Sequence, residues 1–303
     1  MNCIFCHETS DNSKSIEHII PESLGNKKHT LWKGAVCDKC NNYFATKIEK
    51  PLLEQSYFVS VRHNNIIKTK KGNCVHQSIL FSHPNKGFVK ASLGYDDNGI
   101  KYIIPECKEE FEYILSGTTN QFRVIEHEQP TLNNYILSRF LAKCAFEYLA
   151  FILVNGEKSV YISEAIEFLQ EKQFDDIRKY ARYGEGTKFW KYSQRRIYDE
   201  DAKFIDKSES NSNPYKIIHE MCLFVDESTI SKSNDRFYAE LYFVLVIMGI
   251  EYVINVSDDE VQGYENWLKN NNNVCPTKRG TEKMLDSGIA DVFPLLIKHT
   301  NDR

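Results

Sequence analysis

"SIEHIIPESLGN", residues 15–26, sets an acid and a histidine, Glu17 and His18, side by side among β-formers and runs at once into a proline and a Gly-Asn turn. A Cys-x-x-Cys pair stands on each side, "CIFC" at 3–6 and "CDKC" at 37–40. Two such knuckles with a 30-residue insert between them match a four-thiolate zinc site. The two-residue spacer lets both sulfurs of a knuckle reach one tetrahedral ion. Cys3, Cys6, Cys37 and Cys40 are the expected zinc ligands, and His7, beside the first knuckle, is surplus to a shell that four cysteines fill. The chain holds nine cysteines. In a reducing compartment the paired ones read as metal ligands rather than disulfides, and Cys74, Cys107, Cys144, Cys222 and Cys275 as small apolar residues.

Around this stretch, the first 56 residues read as a compact module: a knuckle, a strand near 15–21, a loop, a short strand near 33–37, then a helix. In "CDKCNNYFATKIEKPLLEQ" Tyr43 or Phe44, Ile48 and Leu52 recur at helical spacing. Pro51 would clash with its fourth predecessor, so the helix is expected to end or kink there. Residues 57–114 change texture to short runs such as "YFVSVRHNNIIKT", "HQSILFS" and "KYIIP" between Asn, Gly and Pro turns, which predicts an antiparallel sheet. The apolar spacing in 132–155 predicts a buried helix stopped by Asn155-Gly156. "SEAIEFLQEKQ" predicts a helix capped by Ser163, with Glu167 as its carboxylate. "IIHEMCLFVD" and "AELYFVLVIMGIEYVINV" read as strands of a covered sheet, the second with a helix as its alternative, and "DKSESNSNP" as a polar loop.

Composition sets the outer bounds. With 42% hydrophobic and 26% charged residues in 303, the chain is globular and not disordered. No apolar run approaches the ~18–20 residues that span a bilayer, and the opening Met-Asn-Cys is no secretory leader, so no membrane is expected and the cytoplasm is the expected location. A net charge of −4 excludes a globally basic nucleic-acid binder, leaving local patches. No GxxxxGK[ST] loop is present, which argues against a built-in ATPase.

Taken in order, "CIFC", "EHIIPESLGN" and "VCDKCNNYF" resemble the HNH endonuclease family, the ββα-metal nucleases, over about residues 1–54. The resemblance implies an α+β fold with a small zinc-stabilised ββα-metal module at 1–56. A larger mixed domain with antiparallel sheet and buried helices follows at 57–303, for recognition or regulation. It implies His18 as general base, Glu17 and Asn41 as holders of a catalytic Mg²⁺ or Mn²⁺, and zinc as scaffold. An unperturbed imidazole is available as a base near pH 7, and a hard cation with few protein ligands stays open to phosphate and water. The family commonly has Asp where this chain has Glu17. Its middle Asn has no clean counterpart here, with Asn26, His29 and Thr30 as candidates. Asn42 and Glu49 are further auxiliary candidates, Glu49 because eight residues past Asn41 is about two helical turns. Either could equally be an ordinary helix residue.

DNA is the expected partner, hydrolysed to 5′-phosphate and 3′-hydroxyl ends, in a bacterial anti-phage or restriction-type defence setting. A homodimer or an activating protein is a further expected partner. Two basic segments are candidates for phosphate contact. One is Arg62, Lys68, Lys70 and Lys71. The other, within 172–198, has eight Lys or Arg against three acids among interleaved aromatics, including Arg178, Lys179, Arg182, Lys188, Lys191, Arg195 and Arg196. The plain alternative is a solvated basic face with its aromatics in the core. Competing readings of the whole are a zinc-ribbon nucleic-acid-binding module without chemistry, and the same chemistry on RNA.

Overall fold

The computed structural model describes residues 1–69, 71–83, 85–96, 98–117, 121–124, 129–156, 159–204, 214–233 and 236–277. In chain order the helices and strands are α1 (Asp38–Phe44), α2 (Lys50–Leu53), α3 (Ser56–Asn64), β1 (Gln77–His83), β2 (Gly87–Tyr95), β3 (Lys101–Pro105), α4 (Lys108–Leu115) and β4 (Phe122–Val124). There follow α5 (Tyr135–Asn155), α6 (Ile162–Leu169), α7 (Asp175–Tyr183), β5 (Tyr192–Arg196), β6 (His219–Ser233), β7 (Arg236–Ile247), β8 (Ile250–Asn255) and α8 (Gln262–Asn270). The architecture is α+β with two antiparallel sheets.

Contacts group the chain differently from a linear division after residue 56. One compact unit joins residues 1–20 and 27–49 with 132–303; the other holds 21–26 and 50–131. In the first unit the sheet order is β5-β8-β7-β6, all antiparallel. Every residue of β8 is buried, as a strand covered on both faces requires. The helix α5 packs against β7, β8, α6 and α7 and is buried along most of its length. Its Phe146 meets Phe5, which in turn meets Phe44 of α1 at 4.6 Å between ring centroids. The N-terminal knuckles and the later helices thus share one aromatic core. Asn134 caps α5, accepting from the Leu137 N–H, and the chain leaves the helix at Asn155-Gly156 as expected.

In the second unit the sheet order is β3-β2-β1-β4. Tyr113 and Ile114 of α4 cover the apolar face made by Ile79, Phe81, Ala91 and Leu93. The antiparallel sheet predicted here begins only at Gln77, because "SYFVSVRHN" is the helix α3. Tyr57, Phe58 and Val61 at helical spacing bury one face of it, and that packing overrides the β propensity of its valines.

Other local expectations change as well. No regular strand forms near 15–21 or 33–37; the pairing there is a single bridge, His18 with Thr30. The helix passes Pro51 without ending, through a π-helical turn at Ala45–Glu49 that precedes α2. A wide turn before the proline is one way to lose the hydrogen bond its missing N–H cannot make. The helix α6 starts one residue before Ser163, and its first-turn carboxylate is Glu164, which accepts from the Tyr161 N–H. Cys107 is exposed and Cys74 half-buried, so only Cys144, Cys222 and Cys275 of the five remaining cysteines lie in the core. The polar loop "DKSESNSNP" and Lys70 fall outside the described residues, the loop in all but its final Pro214.

Candidate nuclease site

The four knuckle cysteines converge. Their sulfurs all lie within 4.8 Å of one another, with Cys6 and Cys37 at 3.6 Å. A tetrahedral zinc with bonds of ~2.3 Å needs sulfurs about 3.8 Å apart, so the donor set fits such an ion. Backbone amides already point at the sulfurs: Cys37 N–H donates to Cys3 Sγ at 3.3 Å and Cys40 N–H to Cys37 Sγ at 3.4 Å. The bond from Cys40 leads in holding the Cys3 thiol down to about 5. Burial pushes Cys6 up to about 11, and the bond to Cys3 together with burial pushes Cys40 well up. Four thiolates held this close together require a cation to offset their charge.

Arg182, from the basic segment, belongs to this centre. It is buried, donates from Nε to Cys40 Sγ at 3.1 Å, and lies 3.8 Å over the Tyr43 ring. A guanidinium suits both contacts, since it stacks flat and gives charge-assisted bonds.

Between the knuckles, Leu31 N–H donates to Glu17 O at 3.0 Å and Ile19 N–H to His29 O at 3.2 Å, which leaves His18 opposite Thr30. Side chains alternate along this short paired stretch. Glu17 and Ile19 are buried while His18 is half-buried. Asp38, in the first turn of α1, accepts from both the Lys14 and Ser15 N–H groups and so ties the start of the stretch to the helix. Asn41 sits half-buried in α1, its N–H donating to Cys37 O.

Glu17 does not reach toward His18's side. Its Oε1 lies 2.7 Å from Nζ of Lys143, a fully buried residue of α5. Glu49 Oε1 is also 2.7 Å from that ammonium and Glu147 Oε2 is 3.1 Å away. Lys143 further donates to His18 O at 3.0 Å, and the neighbouring Cys144 Sγ donates to Ile19 O at 3.0 Å. Burial pushes the carboxyls of Glu17 and Glu147 upward against the pull of Lys143, and the three carboxylates hold Lys143 well above its ordinary value despite burial. Of the expected metal ligands Glu17 and Asn41, Glu17 is thus ion-paired with Lys143, as is the auxiliary candidate Glu49.

Of the other auxiliary candidates, Asn42 is exposed and gives its carbonyl to Thr46, and Asn26 is buried in the second unit. His29 is half-buried with its ring near Phe151 and His219. Several of the basic candidates at 172–198 are engaged with acids or carbonyls. Arg178 is buried and paired with Asp175, which also holds Lys179. Lys191 pairs with Glu260 and Arg195 with Glu251. Arg196 reaches the carbonyls of Tyr198 and Met248. Arg62 is buried in the second unit, while Lys68, Lys71 and Lys188 are exposed. Among the interleaved aromatics, Phe174, Tyr180 and Trp190 are core residues. The counter-charges of Lys191 and Arg195 come from residues far along the chain, which charge counting within a window misses.

The four-thiol cluster is made by two knuckles that bracket the paired acid-histidine stretch in sequence, and the second knuckle opens into α1. Residues 3–56 match the HNH endonuclease family, and this segment supports a nuclease function with a nucleic-acid substrate. No curated protein and no solved structure matches the chain. Among the described residues no helix is long and apolar enough to cross a membrane.

Proposed function

We propose that this protein is a metal-dependent endonuclease that hydrolyses DNA, with His18 as general base. The observation that carries the reading is the coincidence of the HNH match at 3–56 with the four-cysteine cluster whose two knuckles bracket His18 in sequence. In this reading zinc occupies Cys3, Cys6, Cys37 and Cys40 as scaffold. His18 takes the proton of the attacking water, and loss of the 3′-oxygen leaves a 5′-phosphate. HNH nucleases use divalent metals, so Mg²⁺ or Mn²⁺ is required for turnover. Glu17 is spoken for by Lys143, and no step is assigned through that ion. Residues 57–303 set specificity or activation, in a restriction-type or anti-phage defence role, as a homodimer or with an activating protein.

The test is nicking of supercoiled plasmid by wild type and His18→Ala in Mg²⁺, Mn²⁺ or EDTA, with end-group analysis of the products. We expect cleavage that needs the divalent ion and His18, with zinc content unchanged in the variant. Cyclic phosphate ends, or cleavage indifferent to His18, would overturn the mechanism. A folded, zinc-loaded protein that binds nucleic acid and never cuts it would be the non-catalytic zinc module instead, and preferential cutting of RNA would change the substrate.

A further inference from the structure

The HNH match ends at residue 56, yet the main chain of His18 is held by a helix that begins at Tyr135. Lys143 Nζ and Cys144 Sγ, adjacent on α5, donate to the consecutive carbonyls of His18 and Ile19. The same ammonium anchors Glu17 on one side of that main chain and Glu49 of the π-helical turn on the other. An ammonium has three protons to give, and its five acceptors here, counting Glu147 and the longer 3.4 Å contact to Ile19 O, leave it no freedom to turn elsewhere.

We propose that Lys143 is a positioning residue for the His18 base, and that Glu17 serves as its counter-charge rather than as a ligand of the catalytic cation. The inference rests on the reading of His18 as base. Its two halves predict opposite sensitivities. Glu17→Gln keeps an oxygen for Lys143 to donate to and removes a charge from a cluster with three carboxylates and one ammonium. Lys143→Met keeps the length of the side chain and removes every one of those bonds.

The experiment compares wild type, Glu17→Gln, Lys143→Met and His18→Ala in three readouts: plasmid nicking resolved into kcat and KM, the Mn²⁺ concentration for half-maximal rate, and the His18 imidazole cross-peak in ¹H–¹³C spectra, assigned by its loss in His18→Ala. Zinc content and thermal melting establish that each variant is folded. Expected for Glu17→Gln is a kcat loss under tenfold with the Mn²⁺ midpoint within about threefold of wild type. Expected for Lys143→Met is a kcat loss beyond tenfold at unchanged KM, with a displaced His18 cross-peak. A folded Glu17→Gln as inactive as His18→Ala, or one needing more than tenfold more Mn²⁺, overturns the assignment of Glu17. An undisplaced His18 cross-peak in folded Lys143→Met overturns the positioning role. If Lys143→Met fails to fold, Glu17→Gln alone decides the assignment of Glu17. If wild type cuts nothing, the nuclease reading has failed. The cross-peak still reports the clamp, and Mn²⁺ broadening of that peak, lost or kept in Glu17→Gln, still reports the ligand.

Discussion

Two buried polar centres lie in the same compact unit, one built of four sulfurs and the other of one ammonium among three carboxylates. The sulfur centre is written locally, as two knuckles whose spacing alone specifies what they do. The ammonium centre draws on residues 17, 49, 143 and 147, none of which carries a spacing signature. The first asks for a metal to neutralise an excess of negative charge. The second brings its own cation, an ammonium whose charge offsets carboxyls that burial disfavours as ions. Both hold the stretch around His18, from opposite chemical principles.

The comparison is broken most severely by Cys37→Ser. Removing a ligand that also caps α1 and accepts the Cys40 N–H should cost the metal and unfold the module. Structural zinc sites contribute on the order of 10–16 kcal/mol to small folds. Metal content and circular dichroism measure this, and a folded, active Cys37→Ser protein would remove zinc from the account.

A smaller effect is expected at Arg182→Met, which deletes the bond to Cys40 and the stacking on Tyr43. Partners of metal ligands typically change affinity roughly 10–100-fold. Chelator competition should show metal leaving faster by that order, and a Co²⁺-substituted protein should show an altered ligand-field spectrum.

The smallest effect sharpens the ammonium centre. Burial raises the carboxyl of Glu147 in the folded protein. Folding therefore takes up a proton at any pH between the ordinary carboxyl value and the raised one, and stability falls as pH rises through that window. Glu147→Gln cannot titrate, so its melting temperature should exceed that of wild type by more at pH 8 than at pH 5. An equal difference at both values would mean that Glu147 stays ionised when folded.

The same contrast explains what was legible in the sequence. The knuckles, the helix at Asp38, the long helix ending at Asn155 and the strands from His219 to Asn255 follow from spacing and periodicity, which are local properties. The strands expected near residues 15 and 33 do not pair with each other: residues 17–19 bond to 29–31, Ala35 accepts from Ile4, and Asp38 holds Lys14 and Ser15. His18 was legible beside its bracketing cysteines. The fate of Glu17 was not, because its partner lies on α5, 126 positions away by chain number. One signal was available: a lysine and a glutamate, Lys143 and Glu147, inside a largely apolar helix, which is a costly placement unless both charges meet partners. In the basic run at 172–198, part of the counter-charge was likewise out of view, since Glu251 and Glu260, which meet Arg195 and Lys191, come later in the chain.

The bond from Arg182 to Cys40 spans 142 residues. At a synthesis rate of about 5–20 residues per second, the ribosome needs roughly 7–28 s after making the last knuckle cysteine before that arginine exists, and Lys143 is also made in that interval. A nascent chain therefore carries every recognisable motif for that whole interval without the arginine on Cys40, and for much of it without the ammonium on Glu17.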